Sequence, residues 1–163
     1  MVDTKKWHTR EESGIRLDRK LRWFHDDALV EHPRIVEAFN QGLRVTDDGR
    51  FKLEIGSDWC FVTVEDAAFE VVAVDVSQDS RPSIRLSDRT AEWLDLASLT
   101  QDDEGVLVAR VKEGKALARF SREAQFQLAE RMEEVAGGLV VKIGSRQIPI
   151  SLSPKGAEGR GEG

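Results

Sequence analysis

The chain has 163 residues, of which 40% are hydrophobic and 33% are charged, a composition typical of a globular protein rather than a disordered one. Its 24 Lys and Arg residues against 30 Asp and Glu residues give a formal net charge of −6. This charge argues against a protein that coats nucleic acid, because an acidic chain repels a phosphate polymer. One cysteine excludes an internal disulfide framework, and no run of 18 apolar residues suggests a membrane span.

Both ends have the composition of tails, which we expect over 1–13 and 153–163. The first residues carry the charge of a signal-peptide start, but no apolar segment follows, so we expect a cytoplasmic protein. The second of these segments contains glycines and a proline without an apolar anchor, and such a segment cannot offset its own ordering entropy. We therefore expect it to be disordered.

The first predicted elements are a hairpin, a helix and a strand. Apolar and polar residues alternate over 14–23, which predicts a hairpin that turns near 18–20. Pro33 is suited to the first turn of a helix. The apolar face of that helix would be formed by Ile35, Val36, Phe39 and Leu43. The segment 47–49 then predicts a turn before an alternating strand at 51–55.

The middle of the chain reads as strands. Two apolar runs, 59–64 and 69–76, predict strands that are covered on both faces. Further strands are predicted at 106–111 and 116–120 from their content of apolar and β-branched residues.

A second helix is predicted after these strands, with Ser121 as its N-cap. Its apolar stripe would consist of Ala124, Leu128, Met132 and Val135. We expect the helix to end at 137–138 and to be followed by two strands, at 139–143 and 148–152.

The second half of the chain repeats the first at a shift of 88 positions. The shift superposes seven identical residues over about 40 positions, where chance gives about two or three. The superposed residues are 28–29 with 116–117, Arg34 with Arg122, Gly49 with Gly137, and 55–57 with 143–145. We therefore expect two repeated units, 14–80 and 81–152, although two unrelated units with similar turns would give the same pattern. Duplicated units generally leave a groove at their junction, a common place for a ligand.

The sequence lacks the common catalytic and metal-binding motifs. It has no glycine-rich phosphate loop, no Gly-x-Ser-x-Gly elbow and no calcium loop, so we expect no enzyme activity and no cofactor. His25, with Asp26 and Asp27, could hold a divalent cation, but a solvated turn is the plainer interpretation. Cys60 lies in an apolar strand and is expected to behave as a small buried hydrophobe.

Arginines near the starts of predicted strands and helices are more suggestive, because a guanidinium binds phosphate or carboxylate through two parallel hydrogen bonds. These arginines are Arg22, Arg34, Arg85, Arg110, Arg119 and Arg122. Trp23, Trp59 and Trp93 offer faces on which a ring could stack. Ordinary ion pairing with the acidic residues stays the alternative at each position.

Specific sequence patterns occur at 22–25, 48–51, 64–69, 108–111 and 118–122. Together they resemble the bacterial domain-of-unknown-function 1285 family, and the likeness extends over about 14–152. Between Ile84 and Leu94 only Arg85 matches the family's pattern, so we expect a divergent member.

The resemblance implies a duplicated α+β architecture whose C-terminal half is similar to a pleckstrin-homology fold. It implies no established enzyme activity. It also implies a nucleotide-like ligand at the interface of two repeated units, and a role in signal transduction or the stress response.

Our first hypothesis is a non-catalytic regulatory module that binds a small anionic, nucleotide-like ligand, with no metal, membrane or nucleic-acid polymer as partner. Trp23 would stack on the ligand or form a wall of its site, and Glu65 or Asp66 would accept hydrogen bonds from a base or ribose. The ligand's charge would be met by Arg34, Arg85, Arg110 and Arg122. The second hypothesis is a protein-protein interaction or assembly module without a small ligand, which would use a groove beside a helix or an exposed strand edge.

Overall fold

The computed structural model of the chain describes residues 9–77 and 81–152. Within these ranges the chain forms sixteen strands and two α-helices, which confirms the predicted α+β class. The chain divides into two units, Met1–Ala68 and Phe69–Gly163. The tail expected at 153–163 lies outside the described residues.

Over residues 9–68 the first unit forms one six-stranded sheet and one helix. Its elements are β1 (Ile15–Leu17), β2 (Trp23–His25), β3 (Ala28–Leu29), α1 (Pro33–Gly42), β4 (Leu43–Val45), β5 (Phe51–Ile55) and β6 (Asp58–Val64). The strand order is β3-β2-β1-β6-β5-β4. All neighbours are antiparallel except β1 and β6, which run parallel and join the two three-stranded meanders.

The predicted hairpin of β1 and β2 is held by one buried carboxylate. The side chain of Asp18 accepts hydrogen bonds from the backbone N–H groups of Lys20 at 3.0 Å and Arg22 at 2.8 Å, and from Arg22 Nε at 2.9 Å. Burial by itself would raise the pKa of Asp18, but the hydrogen bonds from Arg22 and Lys20 outweigh it and lower the pKa. The carboxylate therefore stays charged and fixes the turn.

Helix α1 covers one face of the sheet. Pro33 starts it, and the side chain of His32 caps it by accepting the N–H of Arg34. Phe39 of the helix meets the ring of Trp23 edge to face at 5.2 Å. The core beneath the helix consists of Leu17, Trp23, Leu43 and Leu53, all almost completely buried.

The prediction that 59–64 is covered on both faces is wrong. No residue of this segment is fully buried, and Thr63 is exposed. The reason is that α1 covers only one face of the sheet, while the aromatic rings on the other face are covered by cationic side chains. The second apolar run comes closer to the prediction, since Phe69, Val71 and Val74 are buried in the strand that it forms.

Residues 9–13, expected to belong to a tail, lie along β6 instead. The N–H of Phe61 donates to the carbonyl of Arg10 at 2.7 Å, and Ser13 Oγ donates to the carbonyl of Phe61 at 2.8 Å. Residues 9–13 therefore lie beside β6 and precede β1 along the same edge of that strand.

The second unit contains a seven-stranded sheet, a three-stranded sheet and one α-helix. Its elements are β7 (Phe69–Asp75), β8 (Ser83–Leu86), β9 (Ala91–Trp93), a 3-10 turn (Leu96–Ser98), β10 (Thr100–Gln101), β11 (Leu107–Val111), β12 (Ala116–Phe120), α2 (Arg122–Ala129), β13 (Met132–Val135), β14 (Gly138–Ile143), β15 (Arg146–Pro149) and β16 (Ser151–Leu152). The large sheet has the order β16-β10-β11-β12-β7-β8-β9, and the small sheet is β13-β14-β15.

Strand β7 opens the second unit, although the sequence places it in the first repeat. It pairs with β12 and β8, both of which lie later in the chain. In the strands of this sheet every second side chain is buried on one face, as is the case for Phe69, Val71, Ala109 and Ala118.

Helix α2 begins as predicted, with Ser121 Oγ accepting the N–H of Ala124 at 3.1 Å. The predicted extension of its stripe through Met132 and Val135 is wrong, because the helix ends at Ala129. Residues 132–135 pair with β14 as an antiparallel strand. A short apolar repeat is compatible with a helix or a strand, and here the pairing with β14 selects the strand.

Gly42 at the end of α1 provides a test of the first unit's packing. A Cβ there would lie 2.3 Å from the carbonyl oxygen of Glu54 in β5. We expect Gly42→Ala to lower the free energy of unfolding by about 1–3 kcal/mol in urea titrations, because backbone must shift. Helix propensity alone predicts the opposite sign, by about 1 kcal/mol.

The control is Ala38→Ser on the exposed side of the same helix, for which we expect a change within about 0.5 kcal/mol. A Gly42→Ala variant as stable as the wild type would contradict the close approach of α1 and β5.

Candidate functional site

The face of the first unit's sheet that is turned away from α1 carries an alternation of charged and aromatic side chains. Strand register places Arg16 opposite Phe24 and Thr63, and Lys52 opposite Phe61 and Arg44. We call this the open face. Its residues are Arg16, Phe24, Arg44, Lys52, Glu54, Trp59, Phe61 and Thr63.

Cations cover the aromatic rings of the open face. The guanidinium of Arg50 lies 3.4 Å from the ring centre of Phe61, and that of Arg16 lies 4.4 Å from the ring centre of Phe24. Arg10 and Lys52 lie 4.7 and 5.1 Å from the ring of Trp59. Such contacts are favourable by about 0.5–1 kcal/mol each at exposed sites, and they hold the planar guanidinium groups in place.

Two of these arginines flank one threonine. On one side, β1 pairs with β6 so that Arg16 lies beside Thr63. On the other side, Phe51 of β5 pairs with Val62 of β6, and the next residue pair in this antiparallel register is Arg50 with Thr63. Neighbouring strands are roughly 5 Å apart, which places the backbones of the two arginines roughly 10 Å from each other. We call this set the arginine–threonine row: Arg16, Thr63 and Arg50.

A cavity of about 480 Å³ opens over the row. Its walls include all three residues of the row, together with the segment 11–14 and the ring of Phe61. The cavity therefore combines two guanidinium groups, one exposed hydroxyl group and an aromatic ring with the carboxylates of Glu11 and Glu12 in a single concave surface.

Both guanidinium groups already hold a carboxylate. Arg50 contacts Glu11 at 2.8 Å, and Arg16 contacts Glu65 at 2.8 Å and Asp27 at 3.5 Å. The two arginine side chains are only partly exposed, at 44% and 31%. A guanidinium has five N–H donors, so these pairs leave donors that can meet a further anion.

Of the residues predicted in this unit, Trp23 has a different role from the one expected. It is 1% exposed, and its Nε1 donates to Oδ1 of Asn40 at 2.8 Å, so it cannot stack on a ligand. Glu65 belongs to the site through its ion pair with Arg16. Asp66 is exposed beside it, and Arg34 is exposed in the first turn of α1.

In the second unit, the three predicted arginines do not form one cluster. Arg85 on β8 and Arg110 on β11 are separated by β7 and β12, which is roughly 14 Å across the sheet. The guanidinium of Arg110 is bound to the carbonyl of Gly114 at 3.3 Å. Arg122 lies on the exposed side of α2, opposite the buried residues Ala124 and Leu128.

One buried ion pair of the second unit is structural. Lys112 Nζ lies 2.7 Å from Asp88, and Thr90 donates to the same carboxylate. Burial alone would raise the pKa of Asp88, but the hydrogen bonds from Lys112 and Thr90 more than offset it and lower the pKa. A carboxylate that is satisfied in this way joins two turns and offers no reactive group.

Within the described ranges, no three His, Cys, Asp or Glu side chains are grouped closely enough to hold a metal ion. In the same part of the chain, neither helix is long and apolar enough to cross a membrane. His25 lies 3.8 Å from the carboxylate of Asp26 in the turn after β2.

The architecture is that of a two-unit α+β protein with an arginine-rich open sheet face. No family model and no curated protein matches the sequence. The fold is similar to that of a DUF1285 family protein from Silicibacter pomeroyi DSS-3, with a TM-score of 0.60 at 19% identity over 88% of this chain and 82% of that chain.

A second similar structure is a DUF1285 family protein from Shewanella baltica OS155, with a TM-score of 0.52 at 17% identity over 72% of this chain and 91% of that chain. These two likenesses confirm the resemblance to the DUF1285 family that the sequence patterns predict. At this level of identity the similarity concerns the fold.

Proposed function

We propose that this protein is a non-catalytic regulatory module that binds a small anion at the arginine–threonine row of its first unit. The observation that carries the proposal is the placement of Arg16 and Arg50 on either side of the exposed Thr63, in the wall of one shared cavity. Two guanidinium groups and a hydroxyl group are the donors that phosphate and carboxylate oxygens require.

The two arginine side chains would need little rearrangement on binding. Each guanidinium lies on an aromatic ring, Arg50 on Phe61 and Arg16 on Phe24, so the entropy of ordering these long side chains is already lost before a ligand arrives. An anion above Thr63 would accept hydrogen bonds from both sides. The outer face of the Arg50 guanidinium could then stack on a planar base, which makes a nucleotide-like anion the ligand class to test first.

Glu11 sets the strength of this binding. Its carboxylate contacts Arg50 at 2.8 Å and so occupies donors that an incoming anion would use. The segment that carries Glu11 is hydrogen-bonded to β6 through Arg10 and Ser13. A ligand that displaces Glu11 would therefore loosen this segment, which is the change that a regulatory module would pass on in signal transduction or a stress response.

The proposal includes an internal duplication, which the order of elements supports. In the first unit a three-stranded meander, a helix and a second meander are closed by the parallel pairs Arg16 with Thr63 and Leu17 with Val64. In the second unit the meander β10–β12, helix α2 and the meander β13–β15 follow in the same order, and the next strand, β16, makes the parallel pairs Thr100 with Ser151 and Gln101 with Leu152. Thr63 and Ser151 are 88 positions apart.

The repeated Ile-Gly-Ser triplets form the same turn in both units. Ile55 pairs with Asp58 around Gly56, whose φ is +62°, and Ile143 pairs with Arg146 around Gly144, whose φ is +59°. Both glycines adopt the left-handed conformation that a two-residue hairpin turn favours. The likeness of the second unit to a pleckstrin-homology fold stays a prediction.

The proposed duplication also supports a functional reason for the two arginines. By strand pairing, Thr100 and Ser151 are the counterparts of Arg16 and Thr63, at shifts of 84 and 88 positions, and the 88-position shift matches Arg50 with Gly138. The same strand pairing therefore forms without arginines in the second unit. Strand pairing alone therefore does not account for the two arginines of the first unit, as expected if they also bind a ligand.

We expect Arg50→Ala and Arg16→Ala each to weaken anion binding about five- to thirtyfold, since each removes charge-assisted hydrogen bonds of about 1–2 kcal/mol. Isothermal titration calorimetry of the full chain with ATP, pyrophosphate and citrate would measure the loss.

Arg44→Ala is the matched control, because Arg44 lies on the same open face but one strand beyond the cavity. Its variant should bind like the wild type. If none of the three anions binds the wild type, or if Arg44→Ala is as damaging as Arg50→Ala, the proposed site is wrong.

We expect Glu11→Gln to raise the affinity for the same anions about two- to fivefold, because it removes a partly exposed ion pair that competes for Arg50. The control is Glu12→Gln, which removes the same charge from the cavity wall without an ion pair among the described residues. Equal effects of the two variants would show a general charge effect and would contradict the role of Glu11.

A further inference from the structure

The exposed side of α2 in the second unit carries a regular pattern of three residues. Arg122 and Phe126 lie four residues apart in α2, and Glu130, the C-cap residue with helical backbone angles, follows after four more, so the three share one side of the helix. The opposite side is buried through Ala124 and Leu128. The pattern along the helix is therefore a positive charge, an aromatic ring and a negative charge.

These three side chains have no partners in the described part of the chain. Phe126 is 69% exposed, which is unusual for a large aromatic side chain on a helix whose other side is well packed. Neither Arg122 nor Glu130 forms an ion pair with another described residue. A hollow of about 430 Å³ lies beside the ring and is lined by Arg122, Glu123, Phe126, Gln127 and Glu130.

The pattern of Arg122, Phe126 and Glu130 is complementary to a second copy of itself that is rotated by 180° about an axis through Phe126. In an antiparallel pair of α2 helices centred on Phe126, the two rings meet at the two-fold axis. Arg122 of each copy then lies opposite Glu130 of the other copy, because both are four residues from the centre. A two-fold contact needs a surface of this kind, in which the same patch serves both partners.

We propose that the exposed side of α2 is an interface between two copies of this chain. Phe126 fills the hollow of the opposing copy, and two symmetric Arg122–Glu130 ion pairs flank it. The proposal does not depend on the anion site of the first unit.

The helix is short, and this determines the strength of the contact. Eight residues span about 12 Å, so the patch is well below the roughly 1,000 Å² that a stable interface buries. The dimer is therefore weak and forms only at high protein concentration. The symmetric ion pairs give it orientation and specificity rather than high affinity.

Charge reversal across the interface tests the proposal. We expect Arg122→Glu alone and Glu130→Arg alone to be monomeric in sedimentation velocity at concentrations where the wild type associates, because each places like charges opposite each other. An equimolar mixture of the two variants should associate again, since each copy then meets opposite charges at both positions. Phe126→Ser should abolish association, and circular dichroism should show all variants folded.

Several results would overturn the proposal. A wild type that stays monomeric up to millimolar concentration has no such interface. Association that survives Phe126→Ser, or single charge variants that associate as well as their mixture, would place any self-contact elsewhere on the chain.

Discussion

The first unit depends on the parallel pairing of β1 with β6. The other strand pairs in this sheet are antiparallel neighbours within two local meanders. The pairing of Arg16 with Thr63 and of Leu17 with Val64 joins these meanders into one sheet beneath α1. It also brings together residues almost fifty positions apart, because Arg16 reaches Glu65 only when β1 lies against β6.

The pairing is reinforced on both sides. Beyond its end, the N–H of Glu65 donates to the carbonyl of Leu17 at 3.0 Å, and before its start Ser13 and Arg10 bind the backbone of Phe61. No helix among the described residues packs on the open face, and cationic side chains cover its aromatic rings instead. The same contacts that shield these rings from water hold the guanidinium groups in place, so the stability of this face and the geometry of the proposed anion site have one physical origin.

Much of the fold could be predicted from local sequence patterns. The hairpin at Asp18, the start of α1 at Pro33 and the Ser121 cap each depend on residues within one or two turns of chain, and all three are confirmed. The end of α2 was predicted wrongly, because Met132 and Val135 fit a helical stripe as well as a strand. Only the pairing with β14, which no local pattern specifies, distinguishes the two structures.

The candidate site was harder to predict for the same reason. Arg16 and Arg50 are ordinary polar residues in their own strands or turns, and their shared relation to Thr63 arises from strand register between distant segments. Trp23 was expected to meet a ligand, but its alternation with Phe24 places it on the α1 side of the sheet. One available signal was the alternation itself, since it assigns Arg16 and Phe24 to the face opposite Leu17 and Trp23.

Amide chemical shifts in a two-dimensional NMR titration of the full chain with pyrophosphate test the central claim most directly. The account predicts that the largest shift changes occur at Arg16, Thr63 and Arg50, with smaller changes in the segment around Glu11. Changes centred on any other part of the chain, with these residues unmoved at saturating pyrophosphate, would contradict it.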